Sequence, residues 1–185
     1  MTKTLQFHTD RLLIRPLRLD DAKAMFEYRS DPVANQYQGW IPKTLLDVDD
    51  FILNRVSSTV DLIGTWFQFV IIRKENNELI GDIGLHFFDS DKYQVEIGCT
   101  LNKTQHKKGY ATEALTAINN YVFNELKKRR IIASIDPRNI DSIRLFERLG
   151  FRKEAHFKES LLINGEWVDD LIYAILKDEW SYKMK

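Results

Sequence analysis

The stretch QVEIGCTLNKTQHKKGYATEAL, residues 94–115, sets the interpretation of the whole chain. It joins a β-rich run to an amphipathic run, and the junction holds a short basic segment with one glycine, Gly109. A helix that begins at Gly109 or Tyr110 has unpaired amides and a partial positive charge at its first turn, so the junction predicts an anion site, most simply for a phosphate. The apolar residues that trace the helix face are Ala111, Ala114, Leu115, Ile118, Val122 and Leu126.

The composition of the junction narrows the kind of phosphate. Gly109 lets an anion approach the backbone, Ala111 keeps a neighbouring position small, and Lys107 and Lys108 raise the local positive potential. The spacing lacks both the Gly-Lys-Ser/Thr ending of a nucleoside-triphosphate loop and the first glycines of a dinucleotide fingerprint. The stretch is typical of a pyrophosphate loop for another ligand, although a glycine turn with a solvated lysine pair is the alternative.

The N-terminal part of the chain predicts one strand, two helices and a meander. The strand lies near 12–17, one helix starts at Asp20 or Asp21 and ends before Pro32, and Thr44 with Asp47 resembles a capping box for the second helix. Three β-rich runs separated by polar turns then predict an antiparallel meander over residues 65–74, 78–88 and 94–101.

The C-terminal part predicts a strand over 130–136, a helix that ends at Gly150, and two strands over 155–163 and 166–176 that flank the hairpin signal Asn164-Gly165. Strand-helix-strand over 94–135 implies a parallel pair. We therefore expect a single α/β domain over residues 1–185, with a sheet that is part antiparallel and part parallel. Ligands of such sheets bind where strand ends and helix starts meet.

The overall composition excludes several classes of partner. The chain has 27 lysine and arginine residues and 27 aspartate and glutamate residues. It therefore has no net positive charge that would attract nucleic acid or an anionic membrane. One cysteine, Cys99, cannot form an internal disulfide, and no Cys and His cluster has zinc spacing, so no metal is expected. The sequence has neither the apolar core of a signal peptide nor an apolar run long enough to span a membrane, so we expect a cytoplasmic protein.

Five segments, taken in order, resemble the GNAT N-acetyltransferases, and within them the ribosomal-protein N-terminal-alanine acetyltransferases. The junction HKKGYATEAL is similar to the acetyl-CoA pyrophosphate loop of that superfamily, whose pattern is Gln/Arg-x-x-Gly-x-Gly/Ala. The order of strands and helices is also the superfamily's order. The segments that resemble the narrower branch are TDRLLIRPLRLDDAKAMFEYRSDP, ELIGDIGL, VEIGCTL, NIDSIRLFERLGF and INGEWVDDLIYAIL.

The resemblance implies a GNAT-like mixed sheet, with an antiparallel N-terminal meander, a central parallel pair splayed to bind acetyl-CoA, and helices on both faces. It implies acetyl-CoA as cosubstrate and an amine acceptor as partner. Cys99 and Leu101 would contact the pantetheine arm through their main chains, and Asn139 would contact it from the other side, besides capping the following helix. The implied pyrophosphate cradle is His106, Lys107, Lys108, Gly109, Tyr110 and Ala111. His106 departs from the family's Gln or Arg, which removes a permanent charge.

The acceptor's pKa favours one substrate class. An α-amine has a pKa near 7.7 to 8.0 and a lysine near 10.4, so the neutral form at pH 7 costs roughly 1 kcal/mol for the first and roughly 4 to 5 kcal/mol for the second. An N-terminal acceptor therefore asks less of a base. A small amine, such as a polyamine, an amino sugar or an antibiotic, is the alternative acceptor, and a non-catalytic acyl-CoA-binding module is the alternative from another class.

Glu96 is the candidate general base, because it lies on the polar face of its strand. If the meander aligns its apolar faces, His86 or Gly84 lies opposite Glu96, and a relay from Glu96 to His86 becomes available. The alternative is an ordinary half-solvated sheet face. A strand amide near Cys99 or Leu101 would meet the oxyanion.

The acid that protonates the leaving thiolate is harder to assign. Many relatives use a tyrosine, but the matching residue is Phe146, which cannot donate a proton. Ser142, one turn earlier, or water is the remaining candidate, although a serine in a first helical turn is ordinarily structural. Trp40, Phe67 and Trp167 are candidates for an acceptor pocket or for the core. Oligomeric state stays open, with a homodimer as one alternative.

Overall fold

The computed structural model describes residues 5–163 and 165–183, and its strands form one mixed sheet in the order β1-β2-β3-β4-β5-β6-β8-β7. All neighbouring strands are antiparallel except β5 and β6, which are parallel. The strands are β1 (Phe7–His8), β2 (Leu12–Pro16), β3 (Thr65–Arg73), β4 (Glu78–Phe87), β5 (Gln94–Leu101), β6 (Arg130–Ile135), β7 (Arg152–Ile163) and β8 (Glu166–Leu176). This mixed α/β architecture is the predicted fold class.

Helices cover both faces of the sheet. They are α1 (Ala22–Arg29), α2 (Leu45–Asp50), α3 (Tyr110–Asn124), α4 (Ile140–Arg148) and α5 (Lys177–Lys183). The larger apolar core joins α3 and α4 to the sheet, with Leu115 and Ile118 of α3 and Phe146 of α4 buried in it. A smaller core holds Met25 of α1 against Val48 of α2. No helix in the described ranges is long and apolar enough to cross a lipid bilayer.

The predicted N-terminal helices begin where their capping residues indicated. Asp21 directly precedes α1, but its side chain makes no capping bond to that helix. Its carboxylate accepts instead from the amide of Arg18 at 2.9 Å, across the 3₁₀ turn Leu19–Asp21. Thr44 and Asp47 form a reciprocal capping box at the start of α2. A short π-helical turn (Phe51–Arg55) follows α2, so the second predicted helix continues with altered hydrogen bonding.

The register of β4 and β5 confirms that the meander aligns its apolar faces. His86 lies opposite Glu96, Gly84 opposite Gly98, and Leu85 opposite Ile97. Leu85 and Ile97 are buried in the larger core, so a slip of one residue would expose both. The sequence left His86 and Gly84 as the two candidates to lie opposite Glu96, and in the structure that residue is His86.

Several elements differ from the sequence-based expectation. The two-residue β1 and the helix α5 were not predicted, and α3 ends at Asn124, before Leu126. Helix α5 depends on a distant contact, because Trp180 is buried and its indole Nε1 donates to Asn120 Oδ1 at 2.8 Å. Strands β7 and β8 pair as the expected hairpin, but Asn164 of the Asn-Gly signal lies outside the described residues.

A buried ion pair fastens α1 to the sheet. The carboxylate of Asp82, on β4, is fully buried and accepts from Arg29 Nε at 3.0 Å, from Gln68 Nε2 at 2.5 Å and from the Tyr28 hydroxyl. Burial by itself disfavours the charged guanidinium, but the carboxylate outweighs it, and the net pKa of Arg29 is raised. Burial, followed by the charge of Asp82, raises the pKa of Tyr28. The Arg29 guanidinium therefore stays charged under ordinary conditions.

We expect Asp82→Ala to lower the free energy of unfolding by about 3 to 5 kcal/mol, because it leaves the buried Arg29 charge without its partner. Urea denaturation followed by circular dichroism measures the change. Asp50→Ala is the control, since the Asp50–Arg55 pair is largely exposed and its loss should leave the unfolding midpoint in place. A loss below about 1 kcal/mol for Asp82→Ala would show that the pair does not anchor α1.

Candidate active site

The parallel strands β5 and β6 pair only over their first residues. Their register ends with Glu96 opposite Ile132, although β5 continues to Leu101 and β6 to Ile135. The amide of Asn102 donates to Ile80 O on β4 at 2.8 Å, whereas Tyr93 O accepts from Arg129 N on the other side at 2.7 Å. Because bonding direction alternates along a strand, the main-chain groups of Cys99 and Leu101 face the gap between β5 and β6. An extended polar chain fits such a gap.

A cavity of about 420 Å³ opens from this gap. Its wall contains most of the residues predicted from the sequence: Cys99, Leu101, His106, Lys107, Gly109, Tyr110, Ala111, Asn139 and Ser142. Glu96 and Lys108 do not line it. The structure therefore brings one strand end and the starts of two helices, α3 and α4, to a single opening.

The first turn of α3 is open at its amino end. Gly109 precedes the helix with φ 83°, and no side chain caps it. The first helical hydrogen bond runs from Glu113 N to Gly109 O at 3.1 Å, so the amides of Tyr110, Ala111 and Thr112 precede the bonded part of the helix. Lys107 also has a left-handed conformation, with φ 61°. This geometry fits the pyrophosphate of a coenzyme A thioester.

Two basic residues of the loop are held by the protein itself. His106 Nε2 lies 3.1 Å from Leu101 O, and because a carbonyl only accepts, Nε2 is the protonated nitrogen in this contact. Lys108 Nζ donates to Gln105 Oε1 at 3.0 Å. His106 thus ties the loop to the end of β5, and the Lys108 ammonium lies off the cavity wall.

Asn139 and Ser142 form the start of α4. The Asn139 Oδ1 atom accepts from Ser142 N at 3.2 Å, so the side chain caps the helix as the sequence indicated. Both residues are half-buried and line the cavity. Phe146 is buried instead, and its ring packs edge-on against Phe151 with centroids 5.0 Å apart. The position that carries a tyrosine in many relatives is part of the core here.

Glu96 belongs to a polar constellation at the point where β5 and β6 separate. Its Oε2 lies 3.1 Å from His86 Nδ1, and both side chains are about a quarter exposed. Trp66, opposite His86 on β3, stacks on the imidazole at 4.7 Å with an interplanar angle of 8°. Sequence reasoning missed Trp66, although extending the face alignment from β4 to β3 places it beside His86.

The aromatic candidates for the acceptor pocket have other positions. Phe67 is buried in the larger core, and Trp40 stacks on Phe51 at 4.4 Å beside the smaller core. Trp167 is 63% exposed on β8. None of the three lines the cavity. The cavity wall instead includes the segment after α1, through Val33, Ala34, Gln36 and Tyr37. A polar loop sequence does not predict the position of this segment.

The surroundings of Cys99 disfavour the thiolate, which is the form of cysteine that acts as a nucleophile. Burial, with the nearby Asp82 charge, raises the pKa of its thiol, so the thiol stays protonated at neutral pH. Across residues 5–163 and 165–183, no group of three or more His, Cys, Asp or Glu side chains is placed to hold a metal ion.

Comparisons with known proteins agree with this geometry. The family model for an acetyltransferase (GNAT) domain matches residues 11–152. The uncharacterized N-acetyltransferase YnaD of Bacillus subtilis is 36% identical over 94% of this chain and 98% of its own length. A Bacillus anthracis acetyltransferase of the GNAT family has a crystal structure that covers 94% of this chain and 99% of its own, with TM-score 0.83 and 34% identity. The Escherichia coli [ribosomal protein uS5]-alanine N-acetyltransferase is 28% identical over 94% of this chain and 91% of its own length.

Gly109→Trp should abolish binding of coenzyme A, because a side chain at φ 83° strains the backbone directly before the open amides of α3, and its Cβ would lie 3.3 Å from Arg11 Nη2. Isothermal titration calorimetry measures the loss. Gly165→Trp is a matched control, since Gly165 has a similar φ of 86° with nothing within 4 Å of an added Cβ, and it should bind as the wild type does. Equal affinity in both variants would remove this loop from the site.

Proposed function

The chain belongs to the GNAT acetyltransferase family, and we propose that it transfers the acetyl group of acetyl-CoA to the α-amine of a protein N-terminus. The observation that carries the proposal is the opening between β5 and β6, which meets the uncapped start of α3. The E. coli relative, named for acetylation of a ribosomal protein's alanine, supports the acceptor class. Residues 1–185 are proposed to act as one domain.

The coenzyme's acetyl thioester supplies the activated acyl group, and the protein's task is to position it. The amides of Tyr110, Ala111 and Thr112 would bind the pyrophosphate, with Lys107 adding positive charge. Main-chain groups of Cys99 and Leu101 would extend the sheet toward the pantetheine arm. Asn139 would contact the arm from α4 with the amide nitrogen that its capping bond leaves available.

Glu96 is proposed to accept the proton of the incoming ammonium group. It sits where β5 and β6 separate, at the inner end of the gap that would hold the arm. His86 Nδ1 contacts Glu96 Oε2, and Trp66 stacks on the imidazole ring. For the relay, His86 has its neutral proton on Nε2, so Nδ1 accepts the proton from Glu96 and Nε2 then releases one to water. A carboxylate beside an aromatic stack also favours a cationic acceptor before deprotonation.

The oxyanion and the leaving thiolate need separate donors. A main-chain amide of Cys99 or Leu101 is the proposed oxyanion donor, because both face the gap. Since His106 already occupies the Leu101 carbonyl, the strand end is fixed in position. The thiolate, whose conjugate acid resembles a free cysteine with a pKa near 8.5, requires only a weak acid, and the Ser142 hydroxyl or water serves that role.

A steady-state assay tests the proposed function. Release of free thiol from acetyl-CoA is measured with a peptide that begins with alanine or serine, with spermidine, and with no acceptor. We expect the peptide to give the highest kcat/KM. Preference for spermidine would shift the acceptor to a small amine, and coenzyme binding without turnover on any acceptor would make the protein an acyl-CoA-binding module.

Glu96→Gln should reduce kcat/KM by about 10² to 10⁴ at pH 7, and the loss should shrink as the pH rises above 8. The sign follows from the substrate: an α-amine is largely neutral above its pKa of roughly 8, so a base is no longer needed. A pH-rate profile measures the change, with the highly exposed Glu75→Gln as control. A mild loss that does not depend on pH would make Glu96 structural.

A further inference from the structure

The first turn of α3 is fastened to the turn between β1 and β2 by one carboxylate. Glu113 Oε1 accepts from Thr9 Oγ1 at 2.6 Å and from Arg11 N at 2.9 Å, and Glu113 Oε2 accepts from Arg11 Nε at 2.7 Å. Burial by itself raises the pKa of Glu113, but these hydrogen bonds outweigh it, and the net pKa is lowered. Glu113 is therefore a charged anchor at neutral pH.

The same arginine contacts two residues of the anion loop, one on each side of Gly109. Arg11 Nη1 donates to Lys108 O at 3.0 Å, and the guanidinium carbon lies 4.5 Å from the centre of the Tyr110 ring. A Cβ added at Gly109 would lie 3.3 Å from Arg11 Nη2. Because the planar guanidinium is held by Glu113 on its other edge, it supports the loop from a fixed position.

The loop needs outside support because its backbone is strained. Lys107 has φ 61° and Gly109 has φ 83°, so two left-handed residues flank Lys108. The left-handed region is unfavourable for a lysine and persists only where surrounding contacts enforce it. Arg11 donates a hydrogen bond to the carbonyl of Lys108, which lies between these two positions.

We propose that Arg11, oriented by Glu113, is a positioning residue for the coenzyme: it holds the 107–110 backbone in the conformation that presents the α3 amides, without itself touching the reacting atoms. The inference rests on the proposed function, because it takes the pyrophosphate of coenzyme A as the ligand of those amides. Preorganised amides bind with less loss of conformational entropy, so the arginine lowers the dissociation constant.

Charge gives Arg11 a second role at the same place. A carboxylate in the first turn of α3 is favourable for the helix but repels a nearby pyrophosphate. The Arg11–Glu113 ion pair, with Nη2 and Oε2 2.6 Å apart, offsets that repulsion. Removing Arg11 alone therefore loosens the loop and exposes an uncompensated negative charge, whereas removing the charge of Glu113 as well relieves the second effect.

The test measures coenzyme A affinity by calorimetry, and KM for acetyl-CoA and kcat in the thiol-release assay, for Arg11→Ala, Arg11→Lys and Arg11→Ala/Glu113→Gln. We expect Arg11→Ala to raise both Kd and KM about tenfold with kcat within about twofold of the wild type. Arg11→Lys should be intermediate, because it keeps the charge but loses the fork. The double variant should bind more tightly than Arg11→Ala.

Arg152→Ala is the matched control. Arg152 is exposed to nearly the same degree as Arg11, 45% against 47%, and pairs with Glu154 and Glu179, away from the cavity wall. The Arg152→Ala variant should lower the thermal midpoint, as Arg11→Ala does, but leave Kd unchanged.

A wild type that binds no coenzyme A would refute the proposed function itself.

A wild type that binds coenzyme A, with unchanged affinity in Arg11→Ala, would overturn the positioning role alone. If Arg11→Ala does not fold, Arg11→Lys decides the matter, and wild-type affinity in that variant would overturn the proposal.

Discussion

The divergence of β5 and β6 beyond Glu96 is the constraint on which the site depends. Backbone amides and carbonyls in a sheet interior must find partners, and two parallel strands that separate leave theirs facing a gap. The β5-α3-β6 connection brings the start of α3 to the open end of that gap. The result is a slot with polar edges and a tip of open helix amides, both made from main chain. Side chains such as His106 and Asn139 adjust this slot, but they do not create it.

Charge in this protein is arranged locally, against a neutral total of 27 positive and 27 negative side chains. The cavity wall contains the start of α3 beside Lys107, and Glu113 in the first turn of α3 is paired with Arg11. One carboxylate, that of Asp141 at the start of α4, also lines the wall. Asp82 is neutralised by Arg29 behind β5. An anionic ligand therefore meets positive potential at the loop without an overall positive charge, which limits attraction of unrelated polyanions.

The sequence predicted the elements whose signals are local. Capping at Thr44, the meander turns and the amphipathic face of α3 depend on neighbours in the chain, and the structure has them. The sequence also indicated that His86 could lie opposite Glu96, because alignment of the apolar faces of β4 and β5 fixes the register of the two strands. What could not be predicted depends on distant contacts. Helix α5 is bonded to α3 through Trp180 and Asn120, and residues of the segment after α1 join the cavity wall beside β5 and α3. The burial of Phe146 in the core also needed coordinates, because a helical register alone does not say how deeply a ring is buried.

The bond between Thr9 and Glu113 spans 104 residues of sequence. Closing so long a segment is entropically unfavourable until the intervening meander has formed, and contacts of this separation slow folding. The loop before α3 therefore reaches its final shape only after α3, which is synthesised much later, has bonded to the turn between β1 and β2. A chain that ends before residue 113 contains the whole meander but lacks the carboxylate that orients Arg11 against the loop before α3.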